Sequence, residues 1–238
     1  MVFYLIGLGL DEKAINLESL EICKKAQKIF LENYTINFPY DKKKLEETIG
    51  KRILEADRKF VEEEKIIEEA KEKDIVLLVY GSPLIATTHI SLIISCKKRK
   101  IKYKIIHNAS IFDAVSEVGL QIYKFGKTTS LPTWENNYKP TSFINVIKQN
   151  QLIAAHTLLL VDIGLNSKQA LQQLEKASKN KIKLEKIIIC SQLGTKNQKI
   201  YYNSIAELKK LNIKAPYSII IPAKLHFLEE EALEKLTK

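Results

Sequence analysis

The sequence predicts an α/β protein, and three observations carry that prediction. The run Ile75 to Tyr80 is apolar and β-branched without alternation, as in a strand covered on both faces in a parallel sheet. Runs of this kind alternate along the chain with segments of helical period. The run also stops at Gly81-Ser82-Pro83, where glycine tolerates φ values that other residues avoid and proline removes a donor, so the chain must reverse. In open α/β sheets ligands lie beyond the carboxyl ends of such strands, which makes Ser82 to His89 the first candidate lining of a small-molecule site.

The composition bounds the class. With 238 residues, 45% of them hydrophobic, 8 Gly and 6 Pro, the chain can bury a full core as one large or two small domains. No apolar run reaches the roughly 18 residues of a membrane span. Met1 leads directly into a strand with no basic region or cleavage site, so a cytoplasmic protein without a membrane anchor is expected. Cys23, Cys96 and Cys190 are widely spaced within apolar segments and read as reduced core thiols. The net charge of +10 raises the question of nucleic acid. The only arginines are Arg52, Arg58 and Arg99, and the remaining positive charge is lysine interleaved with glutamate. Bidentate phosphate and base contacts favour arginine, so nucleic acid is disfavoured, leaving solvated lysine faces or attraction to an acidic macromolecule.

Val2 to Ile6 reads as the first strand, and Gly7-Leu8-Gly9-Leu10 as a loop where backbone can approach a ligand. Asn16 is placed to cap a helix with Leu17, Leu20, Cys23 and Ala26 on its inner face, ahead of a strand from Lys28 to Leu31. Gly7-x-Gly9 with Glu32 at that strand's end resembles part of a dinucleotide fingerprint. The third glycine position holds Glu12 beside Asp11, however, and two carboxylates would repel a pyrophosphate. Residues 41–74 read as two helices around a short strand near Arg52 to Leu54, with Glu62-Glu63-Glu64 as a solvated helix start. After the central strand, Thr87 or Thr88 starts a helix with Ile90, Leu92, Ile93 and Cys96 as its apolar positions. Tyr103 to Ile106 is the next strand, and Ser110 caps a helix from Ile111 to Val118 that Gly119 ends. The domain boundary falls in this segment, giving an N-terminal domain of residues 1–112 and a C-terminal domain of 113–238.

In the second half, Lys127 to Leu131 is a strand, Pro132 to Pro140 a loop, and Thr141 or Ser142 a helix cap. Thr157 to Ile163 is a buried strand, Ser167 caps the helix of Ala170, Leu171 and Leu174, and Lys186 to Cys190 is a strand. A short helix from Ile205 to Leu211 precedes a last strand, Tyr217 to Ile221, and a terminal helix with Glu229, Glu230 and Glu231 in its first turn, as the helix dipole favours. This half offers more antiparallel pairings than the first.

Of the four histidines, none has a second histidine at metal-ligand spacing, and no Cys-x-x-Cys exists, so no metal site is expected. His156 precedes a core strand and reads as structural, whereas His89, His107 and His226 fall at or near strand ends. A Gly-x-Ser-x-Gly elbow and a Walker loop are both absent. The residues by themselves therefore describe a two-domain α/β protein with a small-molecule cleft of glycine loops, serines and apolar backbone.

Several segments in unbroken order go further. They are Phe3-Tyr-Leu-Ile-Gly-Leu-Gly-Leu10 with Asp11-Glu12-Lys13, Ala86-Thr-Thr-His89, His107-Asn-Ala-Ser-Ile111, Gly119-Leu-Gln-Ile-Tyr-Lys-Phe-Gly-Lys-Thr128, Val146-Ile-Lys148 with Asn150, and Ile221-Pro-Ala-Lys-Leu-His-Phe-Leu-Glu-Glu-Glu231. Together they resemble the diphthine synthase family, archaeal and eukaryotic methyltransferases of the class III, tetrapyrrole-methylase type. The resemblance implies two α/β domains with the cofactor cleft between them, a homodimer, and S-adenosylmethionine as cofactor. It also implies methylation of the amine of the 3-amino-3-carboxypropyl group on a histidine of translation elongation factor 2, giving diphthine. Carried over position by position, the cofactor contacts are Leu10, Ser82, Ile85, Ser110, Ile111, Val161, Leu193 and His226, with His107 a candidate general base from its place at a strand end. The alternatives are a methyltransferase of the same fold acting on a tetrapyrrole or an rRNA ribose, and an inactive cofactor-binding adaptor. Two departures stand out: the family has a further glycine after Leu10, and it reads Gly-Asp-Pro where this chain has Gly81-Ser82-Pro83. Ser82 cannot offer an anionic acceptor, so weaker cofactor binding or a compensating acid, Asp11 or Glu12, is expected.

Overall fold

The first sheet of the computed structural model, which describes residues 1–237, is built from β1 (Val2–Gly7), β2 (Lys28–Glu32), β3 (Leu54–Ala56), β4 (Ile75–Val79) and β5 (Lys102–Ile106). These strands are all parallel, in the order β3-β2-β4-β1-β5. β4 lacks alternation because both of its faces are core. Ile75, Leu77 and Val79 pack with Phe3, Leu5 and Phe30 on one side, and Val76 and Leu78 with Ile6, Ile29 and Leu31 on the other. Cys23 from α1 (Leu17–Lys25) belongs to the second of these cores, and Leu92, Ile93 and Cys96, all in α5 (Ile90–Lys98), belong to the first. The connections leaving the neighbouring strands β1 and β4 thus run to opposite faces of the sheet, the arrangement that opens a crevice at their carboxyl ends. α2 (Lys42–Ile49), α3 (Arg58–Glu62), α4 (Lys65–Glu69) and α6 (Ile111–Ala114) complete this half.

The chain divides into two compact units, Met1–Asp113 and Ala114–Lys238, with the division inside α6. The second unit holds β6 (Thr129–Leu131), β7 (Thr157–Val161), β8 (Ile187–Ser191), β9 (Lys199–Asn203) and β10 (Tyr217–Ile221), in the order β6-β7-β10-β8-β9. Only β6 and β7 run parallel; the other pairs are antiparallel. Its helices are α7 (Ser142–Leu152), α8 (Ser167–Ser178), α9 (Ile205–Leu208) and α10 (Phe227–Leu236), and its core joins Phe143, Ile147, Leu171 and Leu174 to Leu159, Ile189 and Ile219.

Several expectations need correction. Leu17 and Ile90 are 79% and 53% exposed, because each lies two residues, roughly 200° of helix turn, before a buried position, Ser19 and Leu92. Residues 41–74 hold three helices rather than two, and the strand between them starts at Leu54. Glu62-Glu63-Glu64 spans the junction of α3 and α4: Glu62 and Glu63 close α3, and only Glu64 stands at a helix start, as the N-cap of α4, with a left-handed φ of 58° and Arg99 and Ser95 as partners. Asn166, not Ser167, caps α8, in a reciprocal box with Gln169. β9 went unrecognised because an edge strand of Lys-Ile-Tyr-Tyr-Asn, mostly solvent-facing, leaves no apolar run. Among the described residues no helix is long and apolar enough to cross a membrane.

Candidate functional site

Three loops meet at the carboxyl ends of β1, β4 and β5. Leu8 N–H donates to Val79 O at 2.8 Å; Gly9 N–H donates to Gly81 O at 3.1 Å and Gly81 N–H to Gly9 O at 2.9 Å. Asn108 stitches in the third loop, donating through Nδ2 to Gly7 O at 3.2 Å and Ala14 O at 2.9 Å. The approach requires glycine: a Cβ on Gly7 would stand 2.5 Å from Gly81 O and 2.9 Å from Pro83 Cδ. On Gly9, with φ of +73°, it would stand 2.7 Å from Ala14 Cβ. At Gly81 there is room instead, the nearest atoms to such a position being Ala109 O at 3.7 Å and Ser110 Cα at 3.8 Å.

The side chains around this cluster are mostly fixed. Ser82 is buried, with Oγ 3.5 Å from Nδ1 of the exposed His107. Ile85 N–H donates to Ser82 O at 3.1 Å, and the Tyr80 hydroxyl donates to Leu10 O at 2.9 Å. Ser110 caps its helix start: Oγ accepts from Phe112 N–H at 3.2 Å and donates to Asp113 Oδ2 at 2.9 Å. Ile111 N–H meets no acceptor among the described residues. The two candidate compensating acids already have partners. Asp11 accepts from Lys13 N–H at 3.1 Å, and Glu12 pairs with Lys44 at 3.4 Å, its own backbone N–H and Lys44 holding its carboxyl below the usual range. Leu10, Ser82, Ile85, Ser110 and Ile111 are therefore brought together in the first unit.

The second unit arranges its three candidates differently. Val161 ends β7 and Leu193 follows β8, and both strands finish at the edge where β10 begins, Tyr217 pairing with Ser191 and Ser218 with Leu160. His226 caps α10 after β10 has run to the opposite edge, where Ile221 pairs with Thr157. The length of β10, roughly 13 Å at about 3.3 Å per step, lies between them. Beside Leu193, Ser191, Gln192, Lys196, Lys199, Tyr201 and Lys214 are among the residues lining a cavity of 290 Å³. Its floor is internally satisfied, Ser191 Oγ donating to Lys214 O and Gln192 Nε2 to Ala215 O.

Sequence reasoning missed three features. Glu32 does not face a ribose site; it is turned inward, accepting from Thr35 N–H at 2.9 Å and facing His89 Nε2 at 3.2 Å. Its place at a strand end was visible, but its burial follows from the parallel neighbours of β2. Phe38, Tyr40 and Tyr80 form an aromatic group beside Leu10, with ring centroids 5.6 Å apart for Phe38–Tyr40 and 5.5 Å for Phe38–Tyr80. Burial pushes both tyrosine hydroxyls up, so they act as neutral groups, and Tyr40's is buried without a partner among the described residues. Asn108 holds two loops together; in the sequence it stood after a strand, within the His107–Ile111 segment that carries the resemblance, with no sign of this role. His156, expected to be structural, is wholly buried, with Nδ1 accepting from Ala223 N–H and Nε2 facing Glu229. Among the described residues no cluster of His, Cys, Asp and Glu could hold a metal ion.

The family model for tetrapyrrole (corrin/porphyrin) methylases matches residues 2–209, so the two α/β units and the glycine-lined loops define a methyltransferase of that type. The diphthine synthase of Methanocaldococcus jannaschii is 42% identical, over 98% of this chain and 97% of that protein. The diphthine methyl ester synthase of Schizosaccharomyces pombe is 38% identical, over 98% and 93%. A crystal structure of diphthine synthase matches with a TM-score of 0.90 at 32% identity, covering 100% of this chain and 96% of that one. The chain belongs to the diphthine synthase family.

Proposed function

We propose that this protein transfers methyl groups from S-adenosylmethionine to the amine of the 3-amino-3-carboxypropyl group on a histidine of translation elongation factor 2, a step of diphthamide biosynthesis. The observation that carries the proposal is the near-full-length likeness to enzymes named for that product. Nothing comparable favours a tetrapyrrole, an rRNA ribose or an inactive adaptor. A cytoplasmic homodimer is part of the same proposal.

The first-unit loops fit the cofactor. Leu10, Ile85 and Ile111 offer apolar surface for an adenine and a thioether; Ser82, Ser110 and the open Ile111 N–H offer a few polar contacts. Val161, Leu193 and His226 are the proposed contacts from the second unit. When bound, S-adenosylmethionine supplies the methyl group on a sulfonium already primed to leave, so the residues' task is to orient it and exclude water. The attacking amine must be neutral, and His107, exposed with Nδ1 3.5 Å from Ser82 Oγ, is the proposed acceptor of its proton.

The test is incubation with methyl-labelled cofactor and elongation factor 2 carrying the unmethylated precursor. Label on the factor is the expected result; label on RNA, or none, overturns the proposal. Because the Schizosaccharomyces pombe relative is named for a methyl ester, the mass of the modified histidine separates a trimethylammonium product from one carrying an additional ester.

A further inference from the structure

His89 stands between the Gly81 turn and α5 and is 1% exposed. Its Nδ1 lies 3.1 Å from Pro83 O, and since a carbonyl only accepts, that nitrogen carries the proton and donates. Thr87 Oγ1 donates to the same carbonyl at 2.9 Å. On the other side of the ring, Nε2 is then the acceptor and takes the Tyr34 hydroxyl at 3.5 Å, while Glu32 Oε2, 3.2 Å away, has no hydrogen-bond partner among the described residues. Glu32 is 2% exposed and is itself fixed at the end of β2 by the N–H and hydroxyl of Thr35. A line of polar contacts therefore runs from the Tyr34 hydroxyl, through a buried imidazole, to a carbonyl in the middle of the Ser82–Ile85 loop.

Such a line is costly to bury, and an apolar side chain of similar volume would fill the space at less cost. What it supplies is orientation. In a planar trans peptide the C=O and N–H point opposite ways, so holding Pro83 O inward turns Leu84 N–H outward. That N–H meets no acceptor among the described residues.

We propose that His89 is a positioning residue for the cofactor: through its Nδ1–H bond to Pro83 O, with the Tyr34 hydroxyl donating to Nε2, it sets the Ser82–Ile85 loop in the orientation that S-adenosylmethionine requires. The proposal rests on the reading that this loop holds the cofactor.

Calorimetric titration of S-adenosylmethionine into His89→Asn, His89→Gln and His89→Ala, each with its melting temperature, tests it. The asparagine amide can stand where Nδ1 stands and donate to Pro83 O. Glutamine reaches instead toward the Nε2 position, and alanine reaches neither. All three remove a buried ring and its contact with the Tyr34 hydroxyl, so all three lower the melting temperature. The expected result is that Asn keeps affinity within about threefold of the native protein while Gln and Ala lose about tenfold or more, the scale of one hydrogen bond. Equal affinities across the three overturn the proposal, whether all native-like or all weakened. If a variant fails to fold, the same comparison is made with Glu32→Gln added, which replaces the buried carboxyl group with a neutral amide of the same size. Ser82→Trp separates the two claims. If it leaves affinity unchanged, the loop does not hold the cofactor and the proposal falls with that reading. If it abolishes binding while the His89 series is flat, only the role of His89 is overturned.

Discussion

Glu229 is wholly buried, and both of its carboxylate oxygens are doubly occupied. Oε1 accepts from Gln121 N–H at 2.9 Å and lies 3.1 Å from His156 Nε2; Oε2 accepts from His226 N–H at 2.8 Å and from Lys124 Nζ. Because His156 Nδ1 accepts from Ala223 N–H, its Nε2 carries the proton and the neutral ring donates to the carboxylate. Burial holds His156 below its usual value, with the Glu229 bond opposing. For Glu229 itself burial pushes the carboxyl up, but the bonds from Lys124, Gln121, His226 and His156 more than reverse this and bring it to about 2 from 4.5. A depressed carboxyl stabilises the fold fully above its unfolded value and loses that contribution as pH falls through its folded value. The window is therefore about pH 4.5 down to about 2, and the contribution about 3 kcal/mol at about 1.4 kcal/mol per unit. Urea unfolding of the native protein and Glu229→Gln across pH 7 to 2 should show the variant less stable at neutral pH and the gap closing through that window. A gap that stays constant down to pH 2 would rule this account out. The sequence could not reveal the burial, since a glutamate in a first helical turn is equally explained by the helix dipole acting on a solvated side chain.

Elements were legible where one periodicity admits one structure. β4 and β10 were placed to within a residue, because an apolar run bounded by turn residues has no helical alternative of that length. Caps were ambiguous, since Asn166 and Ser167 are both good candidates and only the reciprocal bond with Gln169 decides between them. Gly119 shows how an ending read locally has a tertiary cause as well. It closes the 3₁₀ turn Val115–Val118 with φ of +84°, and a Cβ there would stand 2.3 Å from Ala232 Cβ on α10. Gly119→Ala therefore combines left-handed strain with displacement of α10 from its bed. A loss of about 2–4 kcal/mol is expected, strain adding about 1 kcal/mol to an overpacking cost of about 1–3 kcal/mol. Denaturant midpoints measure it, and Ala232→Gly in the same chain should recover the packing part but not the strain. Failure of that second change to recover any stability would show that α10 does not seat on this residue.

At the scale of the whole molecule, the rule that ligands gather at the carboxyl ends of parallel strands singled out the first-unit loops as candidates from sequence, and the glycine contacts explain how those loops come together. The second unit was less legible because its strands are mostly antiparallel, so a strand end does not name an edge. Val161 and Leu193 fall at one edge and His226 at the other, a distinction that needs the pairing register. Each unit also has its own core: Leu77 belongs to one and Ile219 to the other, and both are fully buried. Truncating either removes burial and leaves a cavity, at a cost of about 2–5 kcal/mol. Since no core cluster among the described residues contains residues of both units, the loss should be local. Hydrogen exchange read by mass spectrometry on Leu77→Ala should show faster exchange in β1, β2, β4 and β5 with β7, β8 and β10 unchanged, and Ile219→Ala the reverse. Equal loss of protection in all seven strands in both variants would mean that the two cores unfold as one cooperative unit.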